Sequence, residues 1–236
     1  SSLINYQNKK YKIDELDLNI IWESNSKSRE FKKLNNFFWF FSLDLKSSKK
    51  STQIIISDWI HKNGNYKKKS WEFDITAKRI ISWLSNHYLT YDESNDEYKS
   101  IFNHMIQKQT NHLINEIKNS KSLEDKIIGC SAIILVGLSY KIEKNYLNFG
   151  LNFLKKILKY SIDNQGFSRS RNIRQQIFYL KYFILIREWF KESLFEVPEH
   201  IDETIYYLGQ AYAYFWQNTG VNLLFNGNNN SHNQNF

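Results

Sequence analysis

Apolar residues recur at helical spacing along most of this chain, in runs separated by short polar links. The first run begins near Arg29 and extends to about Lys46, with an apolar stripe at every third or fourth position. Runs of the same kind predict helices over 51–62, 74–88, 97–119, 123–140, 146–161, 172–192 and 201–215. Only one proline and eight glycines interrupt the 236 residues. The pattern therefore predicts an all-α protein rather than a many-stranded β fold.

The predicted helix over 172–192 carries two apolar stripes about 100° apart, which requires neighbours on two sides. The stripes are Ile173, Ile177, Leu180 and Ile184, and Tyr179, Tyr182, Phe183, Ile186 and Trp189. The run over 123–140 is apolar on nearly every side and predicts a second two-sided helix. A two-layered ring of helical hairpins, as in an α/α barrel or solenoid, would accommodate both.

The two ends of the chain differ from this helical pattern. Residues 1–30 are polar with scattered apolar positions, which predicts an extended or weakly structured lead-in. After Thr219, the segment Val221–Phe225 has strand composition, Asn226-Gly227 is a turn signal, and the Asn-rich tail predicts disorder. We therefore divide the chain into a lead-in (1–30), a helical domain (31–218) and a strand-like segment with its tail (219–236).

Positive charge is concentrated at one turn. The net charge is +8 and the pI about 9.3, which fits either a solvated lysine surface or a polyanionic partner. A glycine-containing turn, Asn164–Arg171, leads directly into the helix over 172–192. We predict that Arg169, Arg171, Asn172 and Arg174 bind an anion there, aided by the helix N-terminus. The alternative is that the arginines pair with nearby acidic residues.

Several chemistries are not indicated by the sequence. Cys130 is the sole cysteine and lies in an apolar run, so no intramolecular disulfide is expected. That run is too short for a membrane span. The histidines show no metal-ligand spacing, and we predict neither a metal site nor a cofactor.

Four segments together carry a family likeness, and their order and spacing agree over about residues 30–227. They are Phe37–Leu45, Asp58–Ile60 with Trp71 and Asp74–Leu84, Gln165–Ser170, and Leu223–Gly227. On these segments the chain resembles the N-terminal helical domain of bacterial heparinase II/III-like proteins, a polysaccharide lyase superfamily.

The resemblance implies an incomplete α/α toroid followed by a β-sandwich domain that would begin near residue 219. It also implies β-elimination in an acidic, uronate-containing polysaccharide such as a glycosaminoglycan or alginate. A periplasmic or exported location is implied as well, although the N-terminal residues lack the order of a signal peptide. No membrane span and no nucleic-acid partner are expected.

The resemblance also points to individual residues. Asn111 is the possible counterpart of an inner-helix asparagine that contacts the uronate carboxylate, and it is a candidate catalytic residue together with the adjacent His112. A solvated or capped polar face is the alternative. The tyrosine and histidine expected after the arginine turn appear here as Ile173 and Arg174. Tyr179 is our candidate to replace them, with a core position as the alternative. Trp71 is predicted to stack on a sugar ring.

Three functions remain open at this point. The first is a polysaccharide lyase domain that requires a linked β domain to be complete. The second is a non-catalytic relative that binds acidic glycans. The third is a helical-repeat module that binds nucleic acid or protein, which rests on charge alone.

Overall fold

The computed structural model describes residues 3–6, 9–12, 22, 29–43, 49–140 and 144–219. They belong to two compact units, Ser1–Asn119 and Ser120–Phe236. Most of the described residues are helical, which confirms the all-α fold class.

The lead-in predicted for residues 1–30 contains a short hairpin that the sequence pattern did not reveal. Strand β1 (Leu3–Tyr6) pairs antiparallel with β2 (Lys9–Lys12), with Leu3 opposite Lys12 and Tyr6 opposite Lys9. Apart from one isolated bridge, this hairpin is the only β structure among the described residues.

The first unit contains five α-helices and one 3₁₀ helix among its described residues. They are α1 (Arg29–Asn35), the 3₁₀ helix (Phe38–Ser42), α2 (Lys49–Asn63), α3 (Phe73–Ser85), α4 (His87–Thr90) and α5 (Asp96–Glu116). Helix α3 packs against α1 and α5, and α2 packs against α4 and α5.

The prediction of one helix from Arg29 to Lys46 is wrong. Helix α1 ends at Asn35, and Phe37 adopts a left-handed conformation with φ of 59°. The break changes which aromatic side chains are buried: Phe40 is inaccessible, whereas Phe41 is 52% exposed.

The core of the first unit is an aromatic cluster built from residues that carry the resemblance. The Phe37 ring meets those of Trp59 and Trp83 edge-on, with centroids 6.2 and 5.3 Å away. Trp59 and Trp83 also contact each other at 5.6 Å, and all three side chains are fully buried. These motif residues therefore pack together in the core of the first unit.

A buried arginine completes this core. Arg79 is inaccessible to solvent, and its guanidinium lies over the Trp59 ring at 3.9 Å. Its hydrogen-bond acceptors are neutral oxygens: Gln109 Oε1, the Asn35 and Ser70 carbonyls, and Thr76 Oγ1, at 2.6–3.2 Å. Desolvation lowers the pKa of Arg79.

The described helices of the second unit are α6 (Leu123–Ser139), α7 (Lys144–Ser161), α8 (Ile173–Glu192) and α9 (Glu199–Thr219). Every residue of α6 from Ile127 to Leu138 is buried. Helix α6 packs against α7 and α8, and α8 also packs against α9. The prediction that α8 has neighbours on two sides is confirmed. The Tyr179 stripe is its buried face, whereas the Ile177 stripe is only partly covered apart from Ile173.

The strand, the turn and the disordered tail predicted after Thr219 lie outside the described residues. Among the helices that are described, none combines the length and the apolar character that crossing a bilayer requires.

Candidate functional site

The turn that joins α7 to α8 is folded by one aspartate. Asp163 Oδ1 accepts hydrogen bonds from the backbone N–H groups of Gln165 and Phe167, at 2.9 and 3.0 Å. Gly166 occupies the left-handed region with φ of 83°, and its α-carbon faces the backbone of Tyr207 in α9. The turn is therefore held both by its own aspartate and by close contact with α9.

Arg171 closes this turn and is not a free cation. Its Nη2 lies 2.8 Å from Asp163 Oδ2, and its guanidinium lies 5.0 Å from the centroid of the Phe167 ring. The side chain remains 51% exposed. The alternative, that the arginines pair with nearby carboxylates, is therefore correct for Arg171. We do not propose that Arg171 binds an anion.

Asn172 has a structural task as well. It is the N-cap of α8, and its Oδ1 accepts from the backbone N–H groups of Arg174 and Gln175. Two of the amides expected to attract an anion at this helix end are therefore satisfied by the cap. Asn172 positions the first turn of α8 rather than presenting free N–H groups.

Arg169 and Arg174 are both exposed and lie on either side of this cap in the sequence. Arg169 makes only a long hydrogen bond, 3.4 Å from its Nη2 to the Lys159 carbonyl. Because exposed guanidinium groups bind carboxylate or sulfate bidentately, these two residues keep the predicted anion-binding role as a proposal.

Gln176, in α8, forms hydrogen bonds with both the turn and α9. Its Oε1 accepts from the Ser168 N–H at 2.7 Å, and its Nε2 donates to the carbonyls of Gly166 at 2.6 Å and Leu208 at 3.1 Å. One amide thereby uses its acceptor and both donors to fix the turn against the middle of α9.

A cleft of about 580 Å³ opens between the turn and α9. Its lining is Gln165, Phe167, Gln210, Ala211, Ala213, Tyr214 and Gln217. The α9 side of this cleft was not predicted from the sequence. The signal was the spacing of Gln210, Tyr214 and Gln217, which places two amides and an aromatic ring on one helical face.

Tyr179 lies in the core of the second unit. Its side chain is 0% exposed, and its hydroxyl has no hydrogen-bond partner among the described residues. Burial raises its pKa, which disfavours the phenolate that a base would need. Its predicted catalytic role is therefore not supported by its surroundings, and the core alternative describes it.

The first unit contains a cluster of side chains around His112. His112 Nε2 lies 3.0 Å from the Trp71 carbonyl oxygen, and the two rings meet edge-on at 5.4 Å. Trp71 itself is 3% exposed and donates its Nε1–H to the Asn63 carbonyl, so its ring is not open to a sugar as predicted. The exposed ring is Tyr66, 5.5 Å from His112 and 62% exposed. Asn111, on the same helix, is exposed.

The contact with Trp71 fixes the proton on the His112 ring. A carbonyl oxygen can only accept, so Nε2 carries the hydrogen and the neutral ring has its lone pair on Nδ1. Desolvation lowers the pKa of His112; the hydrogen bond to the Trp71 carbonyl opposes this shift, as does nearby Glu116. A neutral imidazole with a defined acceptor nitrogen is suited to accept a proton.

We expect acidification to destabilise the first unit through His112. At pH above about 6.5 the ring is neutral in both the folded and the unfolded state, so it makes no difference to stability. As the pH falls below that value, the unfolded state takes up a proton that the folded state resists. Stability is lost progressively until the pH passes below the folded-state pKa.

The measurement is the free energy of unfolding between pH ~7.5 and ~5 for the wild type and His112→Gln, which keeps an N–H for the Trp71 carbonyl. The difference between the two proteins should shrink as pH falls. His200, whose pKa is also lowered by desolvation, is present in both proteins and cancels. A pH-independent difference would contradict the prediction.

No family model matches the chain, and no curated protein matches it. Solved structures do. The heparan sulfate lyase HepC from Pedobacter heparinus matches with a TM-score of 0.70 and 13% identity, over 90% of this chain and 36% of that one. The heparinase III BT4657 gene product matches with a TM-score of 0.67 and 16% identity, over 89% and 38%. Another heparinase III structure matches with a TM-score of 0.64 and 15% identity, over 89% of this chain and 33% of that one.

At such identities the likeness shows the fold. It confirms the all-α class and agrees with the α/α-toroid domain of these lyases that the resemblance implied. The chain spans a little over a third of the length of the HepC structure.

Proposed function

We propose that this chain is the helical part of a heparinase-like polysaccharide lyase that cleaves an acidic, uronate-containing polysaccharide by β-elimination. The observation that carries the proposal is the fold likeness to the three lyases over about nine-tenths of the chain. A linked β domain, implied by the resemblance, is part of the proposal.

β-Elimination first requires that the uronate carboxylate be neutralised. This lowers the pKa of the carbon acid next to it, so that a modest base can remove its proton. Arg169 and Arg174 are proposed to bind acidic groups of the polymer. The exposed Asn111 amide is proposed to donate to the carboxylate at the reacting sugar.

Proton removal is assigned to His112. Its lowered pKa keeps the ring neutral at neutral pH, and its hydrogen bond to Trp71 leaves Nδ1 as the acceptor. The proton moves from the carbon beside the carboxylate to Nδ1, a C=C bond forms, and the glycosidic C–O bond breaks. The leaving oxygen takes its proton from solvent water, because the hydroxyl of Tyr179 is buried.

The test is elimination itself. A C=C bond conjugated to a carboxylate absorbs in the ultraviolet, so absorbance should rise when the full chain is mixed with heparosan, hyaluronan or alginate. His112→Gln should lower the rate by about 10²–10⁴-fold, the usual contribution of a general base. His104→Gln, an exposed position on the same helix, is the matched control. A normal rate in His112→Gln would remove this base.

A second candidate function is a non-catalytic glycan-binding relative. It is favoured by Ile173 and Arg174, which stand where the resemblance expects a tyrosine and a histidine. In this case the polymers bind and no absorbance develops. Arg169→Ala with Arg174→Ala should weaken binding about tenfold or more, since hydrogen bonds to charged groups contribute about 1.5–3 kcal/mol.

Lys156→Ala, an exposed cation on α7, is the control for a general loss of positive charge. Equal weakening by Lys156→Ala would show that only net charge attracts the polymer. Comparable, steeply salt-dependent binding to duplex DNA would favour the nucleic-acid alternative instead.

A further inference from the structure

The cleft between the turn and α9 has an uncharged lining. Three of its side chains are amides, those of Gln165, Gln210 and Gln217, and two are aromatic rings, those of Phe167 and Tyr214. The rest of its lining is alanine. We infer that this cleft binds an uncharged sugar ring, through stacking and amide hydrogen bonds.

The amides are available for such contacts. The side chains of Gln165, Gln210 and Gln217 make no hydrogen bond to the described residues, in contrast to Gln176, which is fully used by the backbone. Each free amide offers an acceptor and two donors, which matches the adjacent hydroxyl groups of a pyranose. Gln210 and Gln217 are seven residues apart on α9, or about 10 Å along its axis.

The aromatic rings supply the apolar half of the contact. Phe167 meets Tyr214 edge-on with centroids 6.1 Å apart, and Tyr214 is 59% exposed. The C–H face of a sugar ring is apolar, so a half-exposed tyrosine ring can cover it. Two more exposed tyrosines, Tyr206 and Tyr207, continue this face towards the N-terminus of α9.

The cleft differs in charge from the proposed anion-binding residues, Arg169 and Arg174. The described lining contains neither an acidic nor a basic side chain, so a carboxylate or sulfate would be desolvated there without a partner. Arg171 contacts the lining residue Phe167, but it is paired with Asp163. The volume falls within the range of small-ligand sites. The inference holds whether or not the chain catalyses elimination.

The experiment uses the trisaccharide of N-acetylglucosamine, which carries no charge, and follows binding by calorimetry and saturation-transfer NMR. The wild type should bind it weakly, with an affinity that does not change as salt is raised. Tyr214→Ala should weaken binding about tenfold, as expected for a lost aromatic contact, and Gln210→Ala should also weaken it. Lys156→Ala, which removes an exposed cation outside the lining, should leave it unchanged.

Tyr160→Ala, an exposed tyrosine of α7 outside the lining, is the matched control and should bind normally. Absence of binding by the wild type would overturn the inference, as would binding that survives Tyr214→Ala. If the trisaccharide has no effect but Tyr214→Ala dissociates an assembly in sedimentation, the cleft is occupied by a second copy and the inference is wrong. Loss of acidic-polymer binding in Arg169→Ala tests the proposed function separately.

Discussion

Arg79→Met should destabilise the first unit by about 3 kcal/mol or more. The substitution keeps most of the side-chain volume but removes the donors for the Asn35 and Ser70 carbonyls and for Gln109 Oε1. Each buried acceptor left without a donor costs about 1–3 kcal/mol. The contact of the guanidinium with the Trp59 ring is lost as well. Removing a desolvated charge offsets part of this cost.

Tryptophan fluorescence during urea unfolding measures the effect, because five of the seven tryptophans lie in residues 1–119. Arg29→Met, at the exposed start of α1, is the matched control and should change stability by no more than about 0.5 kcal/mol. If the two variants unfold at the same urea concentration, Arg79 does not stabilise the core as described.

Gly166→Ala and Gly209→Ala should change the stability of the second unit in opposite directions. A Cβ at Gly166 would overlap the Tyr207 backbone, and φ of 83° is unfavourable for alanine. Left-handed strain and overpacking each cost about 1–3 kcal/mol, so we expect a loss of about 3 kcal/mol. Nothing lies within 4 Å of a Cβ added at Gly209 in α9. There, alanine should stabilise the helix by about 0.5–1 kcal/mol.

The two variants form a matched pair, since each adds one methyl group near the contact between the turn and α9. Urea unfolding followed by circular dichroism gives the sign of each change. Gly166→Ala should also weaken trisaccharide binding, because the turn supplies Gln165 and Phe167 to the cleft. If both variants were equally stable, the close approach of Gly166 to α9 would not be a constraint on the fold.

Most of the helices could be predicted from the sequence, because apolar residues at helical spacing mark the face that is buried. Burial of that face stabilises the helices. The break at Phe37 was not predictable from that pattern. Five consecutive residues, Phe37–Phe41, are all aromatic, so the run carries no phase that could distinguish Phe40 from Phe41. The weak local signal was Asn35-Asn36, since asparagine favours turns. Indeed Asn36 Oδ1 accepts from the Phe38 N–H.

The candidate site was predictable in place but not in detail. The glycine, the arginines and the start of α8 were located correctly, because turn and cap signals are local. Which arginine is paired depends on Asp163, which the folded turn brings to within 2.8 Å of Arg171. The positions of Tyr179 and Trp71 in the core depend on tertiary contacts that spacing alone does not specify.

The buried apolar segment of α6 should make the unfolded protein prone to aggregation. The segment from Ile127 to Leu138 contains no charged residue and is entirely covered in the native fold. An unfolded chain presents this segment to other chains, and exposed apolar runs without charges associate. Heating should therefore lead to aggregation before equilibrium is reached, and the apparent melting temperature should rise with scan rate.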